Sequence, residues 1–387
     1  MTGPVLRMLV ILPAMLVASP GIDSADAADG ELEAKVDSIF MEMNEGSSRA
    51  FSGAIDAGAL LSRVFDGLDV TPGLKARYSD TIRRGVPQLG ENARKRMPEG
   101  EFAKVLKVRR EGEKATALVR FGFGNGNFGY NRYDLEIDSA GDIRIVDWLD
   151  YLEGERYSES VRRSVVTNQP TAGSVRGLVP DHDGSDEEYA RLAEVMTAYR
   201  TKDYQKFYND SATLSRALRG SRFMHLLTCQ VSRMTRDRNL YLQAYRALAN
   251  NFGDDPQVVF QLLSYYFSRG DYEEVNRALR MLQEDFGVRD AALLALMSRT
   301  SLGLRNVDEA AVLAEEAISL EPGLHTAYWA AINAHVMMRR FSFAVMTARS
   351  LEDQTGEPLD TEQFEKNAMY GEFIKSPQYK QWQSAKD

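Results

Sequence analysis

Few residues in this chain of 387 have the types and spacing that catalysis or metal binding requires. The four histidines are His182, His225, His325 and His335, and they show no H-E-x-x-H pattern or other ligand spacing. The single cysteine, Cys229, has no cysteine partner for a metal site or a disulfide, and it lies in an apolar stretch typical of a small buried side chain. We therefore predict no metal site. The last three histidines fall on predicted helices, where we expect them to be packed or half-exposed.

Two further patterns resemble chemical sites but fit structural roles better. The segment from Gly124 to Gly129 matches the dinucleotide pattern G-x-G-x-x-G, yet a strand and not a helix follows it, so we predict a hairpin turn. Asp147 and Asp150 flank Trp148 near a predicted strand end, where carboxylates are usually solvated or cap the backbone. The sequence contains no nucleophile elbow and no phosphate-binding G-x-x-x-x-G-K. We predict no catalytic residue, no cofactor and no enzymatic activity.

Paired helices with a regular period dominate the second half of the chain. Tyr272, Val307 and Phe341 each follow a polar turn and begin a predicted helix, and their positions in the sequence are almost evenly spaced. Small residues such as Ala310 recur in the cleanest copy, residues 291–322, where two helices must approach closely. Such a period predicts stacked helical hairpins.

This pattern resembles the tetratricopeptide repeat, which implies a solenoid. We predict helical repeats over residues 186–354, with C-terminal capping helices over residues 355–387 that cover the last hairpin. A ladder that also includes Tyr204 and Tyr241 is less even, because its longest step separates those two tyrosines and its shortest step leads from Tyr241 to Tyr272. We therefore expect five hairpins, the first two irregular.

The resemblance also implies that the first helix of each hairpin lines a concave groove. Arginine and aromatic residues dominate binding hot spots, so we predict that this groove binds a protein or peptide. The alternative is that its aromatic residues pack against adjacent helices and its arginines are merely solvated. Registering the hairpins on the ladder gives one row of Arg233, Ser264, Arg299 and Asn333, beside a second row of Phe260, Ala295 and Trp329.

The first half of the mature chain, residues 28–163, changes from a helical period to a twofold one. Helical spacing covers Leu32 to Phe65, and strands separated by glycine-containing turns follow from Phe102 to Trp148. Helices followed by a four-stranded antiparallel meander resemble the nuclear transport factor 2-like fold, whose sheet forms a cone. A pocket in the mouth of that cone would be lined by Phe121, Phe123, Tyr133 and Trp148.

The predicted fold class is therefore an α+β domain followed by an all-α solenoid similar to tetratricopeptide repeats. Residues 164–185 lose all periodicity and contain proline and glycine, which indicates a linker. Ser185 and Glu188 have the spacing of a capping box that begins the first helix of the second domain.

The beginning of the sequence has the pattern of an export signal. Arg7 precedes an apolar run from Met8 to Ala18, and a small-x-small cleavage pattern ends at Ala27. We predict a signal peptide over residues 1–27, cleaved after Ala27. The run is shorter than the ~20 residues that span a bilayer. The scarcity of cysteine favours the periplasm as the destination, with full secretion as the alternative.

Composition restricts the partner class. The net charge of −9 and the pI near 5.3 argue against a nucleic-acid binder, which needs a basic face. We therefore expect an exported, non-enzymatic adaptor or scaffold that binds a protein or peptide through the groove. The alternative is a small-ligand carrier or enzyme with its pocket in the N-terminal cone.

Overall fold

The computed structural model describes residues 24–95, 102–123 and 127–385, with side chains from residue 30 onward. The predicted signal peptide lies outside these ranges, except for its last four residues, which begin the first helix. An N-terminal α+β region with an antiparallel sheet precedes a helix-rich C-terminal region, which confirms the coarse fold prediction. No helix in the described ranges combines the length and the apolar character that a membrane crossing requires.

The N-terminal region contains helices and one sheet in which each strand pairs antiparallel with the next one along the chain. The first four strands are the predicted meander, and a fifth adds a two-residue edge. The helices are α1 (Ser24–Asn44), α2 (Arg49–Ala54), α3 (Ala57–Phe65) and α4 (Pro72–Arg94), and the strands are β1 (Ala103–Glu111), β2 (Lys114–Gly122), β3 (Phe128–Ile137), β4 (Ile143–Asp150) and β5 (Glu155–Arg156).

The two faces of this sheet are buried against different parts of the chain. Successive residues of a strand point to opposite faces, so Leu118 and Val119 enter different cores. Val119 and Tyr133 share a core with Phe40 of α1. Leu118 and Tyr130 instead join a core built mainly from helices of the C-terminal region. The sheet is therefore the layer between the N-terminal helices and the C-terminal ones.

The segment predicted as a linker is largely packed. It contains the end of α5 (Tyr157–Asn168) and the short helix α6 (Ala172–Arg176). Val175 is buried in one core with Leu192 of the helix that follows. The predicted capping box begins that helix, since Ser185 accepts a hydrogen bond from the Glu188 N–H and the Glu188 carboxylate accepts one from the Ser185 N–H.

The helix-rich region consists mainly of pairs in which each helix packs against the next one along the chain. The first helices of the pairs are α7 (Asp186–Thr201), α10 (Arg222–Thr235), α12 (Pro256–Arg269), α14 (Ala291–Gly303) and α16 (His325–Met337). The second helices are α8 (Tyr204–Thr213), α11 (Arg238–Phe252), α13 (Tyr272–Phe286), α15 (Val307–Leu320) and α17 (Phe341–Thr355), and a short α9 (Arg216–Arg219) precedes α10.

The spacing of the pairs is more regular than the sequence predicted. The first residues of the five second helices are spaced almost evenly along the chain, from Tyr204 to Phe341. The expectation that Tyr241 marks the start of the second one is wrong, because α11 begins three residues earlier, at Arg238. Asp237 sets that start, since its carboxylate accepts hydrogen bonds from the N–H groups of Asn239 and Leu240.

The C-terminal tail packs against the end of the helical region. It forms α18 (Glu362–Lys366), a 3-10 turn (Ala368–Tyr370) and α19 (Pro377–Ser384). Phe364, Phe373 and Trp382 are buried in one core with Ile332 of α16 and Val345 of α17. Five aromatic residues of the tail thus replace the pair of helices that would come next.

The buried alanines of α15 generate a test of this packing. Ala310, Ala314 and Ala317 are fully buried, and the Ala310 carbonyl accepts a hydrogen bond of 2.7 Å from Ser298 of α14. We expect Ala310→Leu to overpack this junction and lower the free energy of unfolding by about 1 to 3 kcal/mol. The measurement is urea unfolding, with Val312→Leu on the exposed side of the same helix as the control. Equal stability of the two variants would contradict the close approach of α14 and α15.

Candidate functional site

The predicted groove residues lie on the face of the first helices that carries Phe260, Ala295 and Trp329, here called the inner face. The sheet covers a large part of it. Phe260 of α12 is buried against the rings of Phe128 and Tyr130, with ring centroids 6.2 and 5.4 Å apart. Ala295 is buried in the same core. The structure therefore places these two residues in an intramolecular contact.

A buried charged cluster holds the sheet on the inner face. Arg120 of β2 is only 7% exposed, and its guanidinium donates to both Asp290 and Glu321. Tyr130 donates to Asp290 over 2.6 Å, and Lys104 pairs with Glu321 over 2.6 Å. Burial alone would raise the pKa of Glu321, but Arg120 and Lys104 outweigh it and hold that pKa below its ordinary value.

A second set of contacts fixes the turn between β4 and β5. Arg233 of α10 donates to the Glu153 carboxylate, and Gln261 of α12 donates to the Glu153 carbonyl over 3.2 Å. Arg222 donates to the Gly154 carbonyl and, over 3.2 Å, to Asp255. Arg233 is thus part of the border between the sheet and the helices. Because α11 begins at Arg238, the position equivalent to Ser264, Arg299 and Asn333 is Gln230, and Arg233 lies three residues beyond it.

The tail covers the other end of the inner face. The Trp329 ring is half-buried with its centroid 5.5 Å from that of Phe364. Asn333 accepts a hydrogen bond from the Tyr370 hydroxyl over 2.5 Å. Both predicted partner-binding residues therefore contact the C-terminal cap.

Between the sheet and the tail, part of the inner face stays exposed. We call Ser264, Phe267, Arg269 and Arg299 the open strip. The Arg299 guanidinium lies over the Phe267 ring at 5.1 Å, and Arg269 lies over Tyr265 at 5.6 Å. In the described ranges no carboxylate oxygen lies within 4 Å of either guanidinium. Two exposed cations are thus held on aromatic rings with no carboxylate partner in the part of the chain that the structure describes.

Sequence reasoning identified Ser264 and Arg299 but missed Phe267 and Arg269. The available signal was the run from Tyr265 to Arg269, in which three consecutive aromatic residues precede a serine and an arginine at the end of a first helix. The rows built on the ladder contain Phe260 and Ala295, which the sheet covers, but not Phe267 or Arg269.

The aromatic residues proposed to line a cone mouth pack against neighbouring rings. The centroids of Tyr133 and Trp148 are 5.8 Å apart, and the Phe51 centroid lies 5.9 Å from Tyr133 and 6.5 Å from Trp148. Phe121 is 6.1 Å from Phe40, and Phe123 is half-buried beside the same core. The structure thus brings these four residues together around side chains of α1 and α2.

The two carboxylates beside Trp148 accept hydrogen bonds from nearby backbone N–H groups. Asp147 is buried and accepts hydrogen bonds from the Ser158 N–H at 3.1 Å and the Ser158 hydroxyl at 2.6 Å. Burial raises the pKa of Asp150 to about 6, although the N–H groups of Leu152 and Glu153 stabilise its charged form. The hydrogen bonds of Asp147 and Asp150 thus stabilise the backbone of the N-terminal region.

The remaining reactive residue types are also packed. Burial raises the pKa of the Cys229 thiol to about 12, which keeps it protonated and poorly nucleophilic. Burial lowers the pKa of His225 and of His335. Among the described residues, no three His, Cys, Asp or Glu side chains are grouped so that they could hold a metal ion.

A cavity of about 590 Å³ lies where α5 meets the start of α10. Leu178, Val179 and Phe223 contribute apolar walls. Its arginines already have acceptors, since Arg162 donates to the carbonyls of Val64, Arg63 and Gly177, and Arg222 binds the β4-β5 turn. The volume is within the range of small-molecule sites.

Comparison with known proteins adds no identity to this geometry. No protein-family model matches the chain, and no curated protein matches it.

The Arg120 cluster generates a test of how the sheet is held. Replacing Arg120 by methionine leaves Asp290 and Glu321 without their shared cation, and we expect a loss of about 3 to 5 kcal/mol in the free energy of unfolding at neutral pH. Arg109→Met, on an exposed part of β1, is the matched control. Urea unfolding measures both variants.

The pH dependence of this loss follows from Glu321. Because its folded pKa is lowered, its stabilising contribution is complete above the unfolded pKa and disappears as the pH falls through the folded one. The difference between wild type and Arg120→Met should therefore shrink on acidification. A difference that is small at neutral pH, or that grows towards acid pH, would contradict the role of this cluster.

Proposed function

We propose that this chain is an exported, non-enzymatic adaptor that binds a protein or peptide on the inner face of a solenoid similar to tetratricopeptide repeats. The regular spacing of five helix pairs supports the solenoid. The N-terminal helices followed by an antiparallel meander support a likeness to the nuclear transport factor 2-like fold. In this proposal the N-terminal region occupies part of the inner face and leaves the open strip for the partner.

The observation that carries the proposal is the stacking of Arg299 on Phe267 in the open strip. A guanidinium held over a ring needs little further ordering when it donates to a carbonyl or carboxylate of a partner. Arginine and aromatic residues are also the types that contribute most to binding energy. In a protein with net charge −9, exposed cations without a carboxylate partner favour recognition over stability.

The six predicted partner-binding residues have two roles in this proposal. Ser264 and Arg299 contact the partner directly, since both are exposed. Arg233 and Phe260 define the border made by the sheet, and Trp329 and Asn333 define the border made by the tail. The borders limit the partner to a short segment that lies along the ends of α12 and α14.

Export remains part of the proposal and rests on the N-terminal sequence. The basic residue, the apolar run and the small-x-small pattern ending at Ala27 are those of a signal peptide. The periplasm is the destination that a chain with one cysteine favours. The rest of the proposal does not depend on this compartment.

One observation favours the alternative, a small-ligand carrier or enzyme. The cavity beside α5 has the volume of a ligand site and partly apolar walls. It lies away from the cone mouth where the sequence suggested a pocket. A small molecule that co-purifies with the full chain and contacts Phe223 would favour this alternative over the adaptor.

The test of the adaptor uses the full chain to capture a partner and then measures its affinity for purified variants. Arg299→Glu reverses the charge in the open strip, and we expect it to lower the binding free energy by about 2 kcal/mol or more. Thermal stability should change by less than about 0.5 kcal/mol, because the residue is exposed.

The matched control is Arg246→Glu, which makes the same charge change on the exposed side of α11. It should bind the partner as tightly as wild type. Wild-type affinity in both variants would remove the open strip from the binding surface. A partner whose affinity falls equally in both would indicate a response to net charge alone.

A further inference from the structure

The outer side of the last two second helices carries an exposed apolar patch. Val312 of α15 is 62% exposed, and Phe343 and Met346 of α17 are 54% and 62% exposed. We call these three residues the outer patch. Large apolar side chains that cluster at the surface mark interaction sites more often than chance.

His335 of α16 lies between the two helices that carry the outer patch. Its ring centroid lies 5.6 Å from that of Phe343, and its Nε2 atom lies 3.6 Å from the Glu315 carboxylate of α15. Glu315 of α15 and Phe343 of α17 therefore lie beside the same buried imidazole. Glu315 borders the patch on the side of α15.

The repeat places matching positions on the two helices. Val312 and Met346 each lie five residues after the start of their helix, and Glu315 and Arg349 each lie eight residues after it. Successive second helices thus have an apolar residue at one equivalent position and opposite charges at another. Arg349 is exposed, and in the described ranges no carboxylate oxygen lies within 4 Å of it.

We infer that the outer patch binds a second copy of this chain around a twofold axis. An axis that runs between α15 and α17, parallel to them, sets α15 of one copy opposite α17 of the other. Val312 then faces the partner's Met346, and Glu315 faces the partner's Arg349. Each pair occurs twice, and the Phe343 rings lie between them.

The charges select this occupant over an unrelated partner. The exposed side of α15 is acidic, with Asp308, Glu309 and Glu315, whereas the exposed side of α17 carries Arg349 one turn before Asp353. A surface with an acidic half and a basic residue on the other half is complementary to itself only after a twofold rotation. The outer patch consists of only three residues, and so small an interface area predicts a weak dimer whose population rises with protein concentration.

The experiment is sedimentation velocity on the full chain from about 1 μM to about 1 mM, a range that covers weak dissociation constants. We expect a concentration-dependent dimer. Met346→Glu puts a carboxylate into the apolar centre twice per dimer and should raise the dissociation constant by at least about tenfold. Met41→Glu, on an exposed position of α1, should leave it unchanged.

Charge reversal distinguishes this arrangement from other dimers. Glu315→Arg and Arg349→Glu, made separately, should each weaken the dimer about threefold or more, because like charges then face each other twice. The double variant should recover the wild-type dissociation constant. These residues are exposed, so far-ultraviolet circular dichroism should be unchanged in every variant.

Three results would overturn the inference. The first is a wild-type monomer across the whole concentration range. The second is a dimer whose dissociation constant is the same in Met346→Glu and Met41→Glu. The third is a double charge reversal that is weaker than either single variant.

Discussion

One buried arginine determines how the two parts of this molecule are arranged. The Arg120 side chain extends from the sheet and binds Asp290 and Glu321, the carboxylates that precede α14 and follow α15. Asp290 also caps α14 through the Leu293 N–H and accepts from Tyr130. A buried guanidinium needs all of these acceptors, because an unpaired charge in this environment costs several kcal/mol. The sheet is therefore held in one position on the inner face, and the extent of the open strip follows from that position.

The sequence predicted those features that depend on neighbours along the chain. Twofold alternation identified β1 to β4, and the buried alanines of α15 identified a tight helix pair, because both patterns are local consequences of side-chain direction. The register failed at α11 for an equally local reason. Tyr241 is aromatic like Tyr272, but the helix start is set by the capping carboxylate of Asp237. Capping residues therefore mark the starts of the second helices better than aromatic residues do.

The occupancy of the inner face could not be predicted from the sequence. The sequence around Phe260 looks the same whether this residue binds a partner protein or packs against Tyr130, which lies far earlier in the chain. Arg233 likewise shows no local sign that its acceptor is Glu153. Such contacts depend on how the sheet and the helical region dock. The local residue patterns of the two regions do not reveal that docking. Ser264 and Arg299 are exposed in the structure only because the sheet ends before them.

The regular spacing gives the helical region two different surfaces from one repeat. First helices turn their arginine and aromatic residues inward, where the sheet and tail leave the open strip. Second helices turn outward, and most of their exposed positions are polar, as a surface facing water requires. Val312, Phe343 and Met346 break that rule on adjacent pairs, although Arg277 occupies the equivalent position on α13. The change to apolar residues is confined to the last two pairs. It therefore reflects a requirement at that end of the molecule and not the regular spacing of the helix pairs.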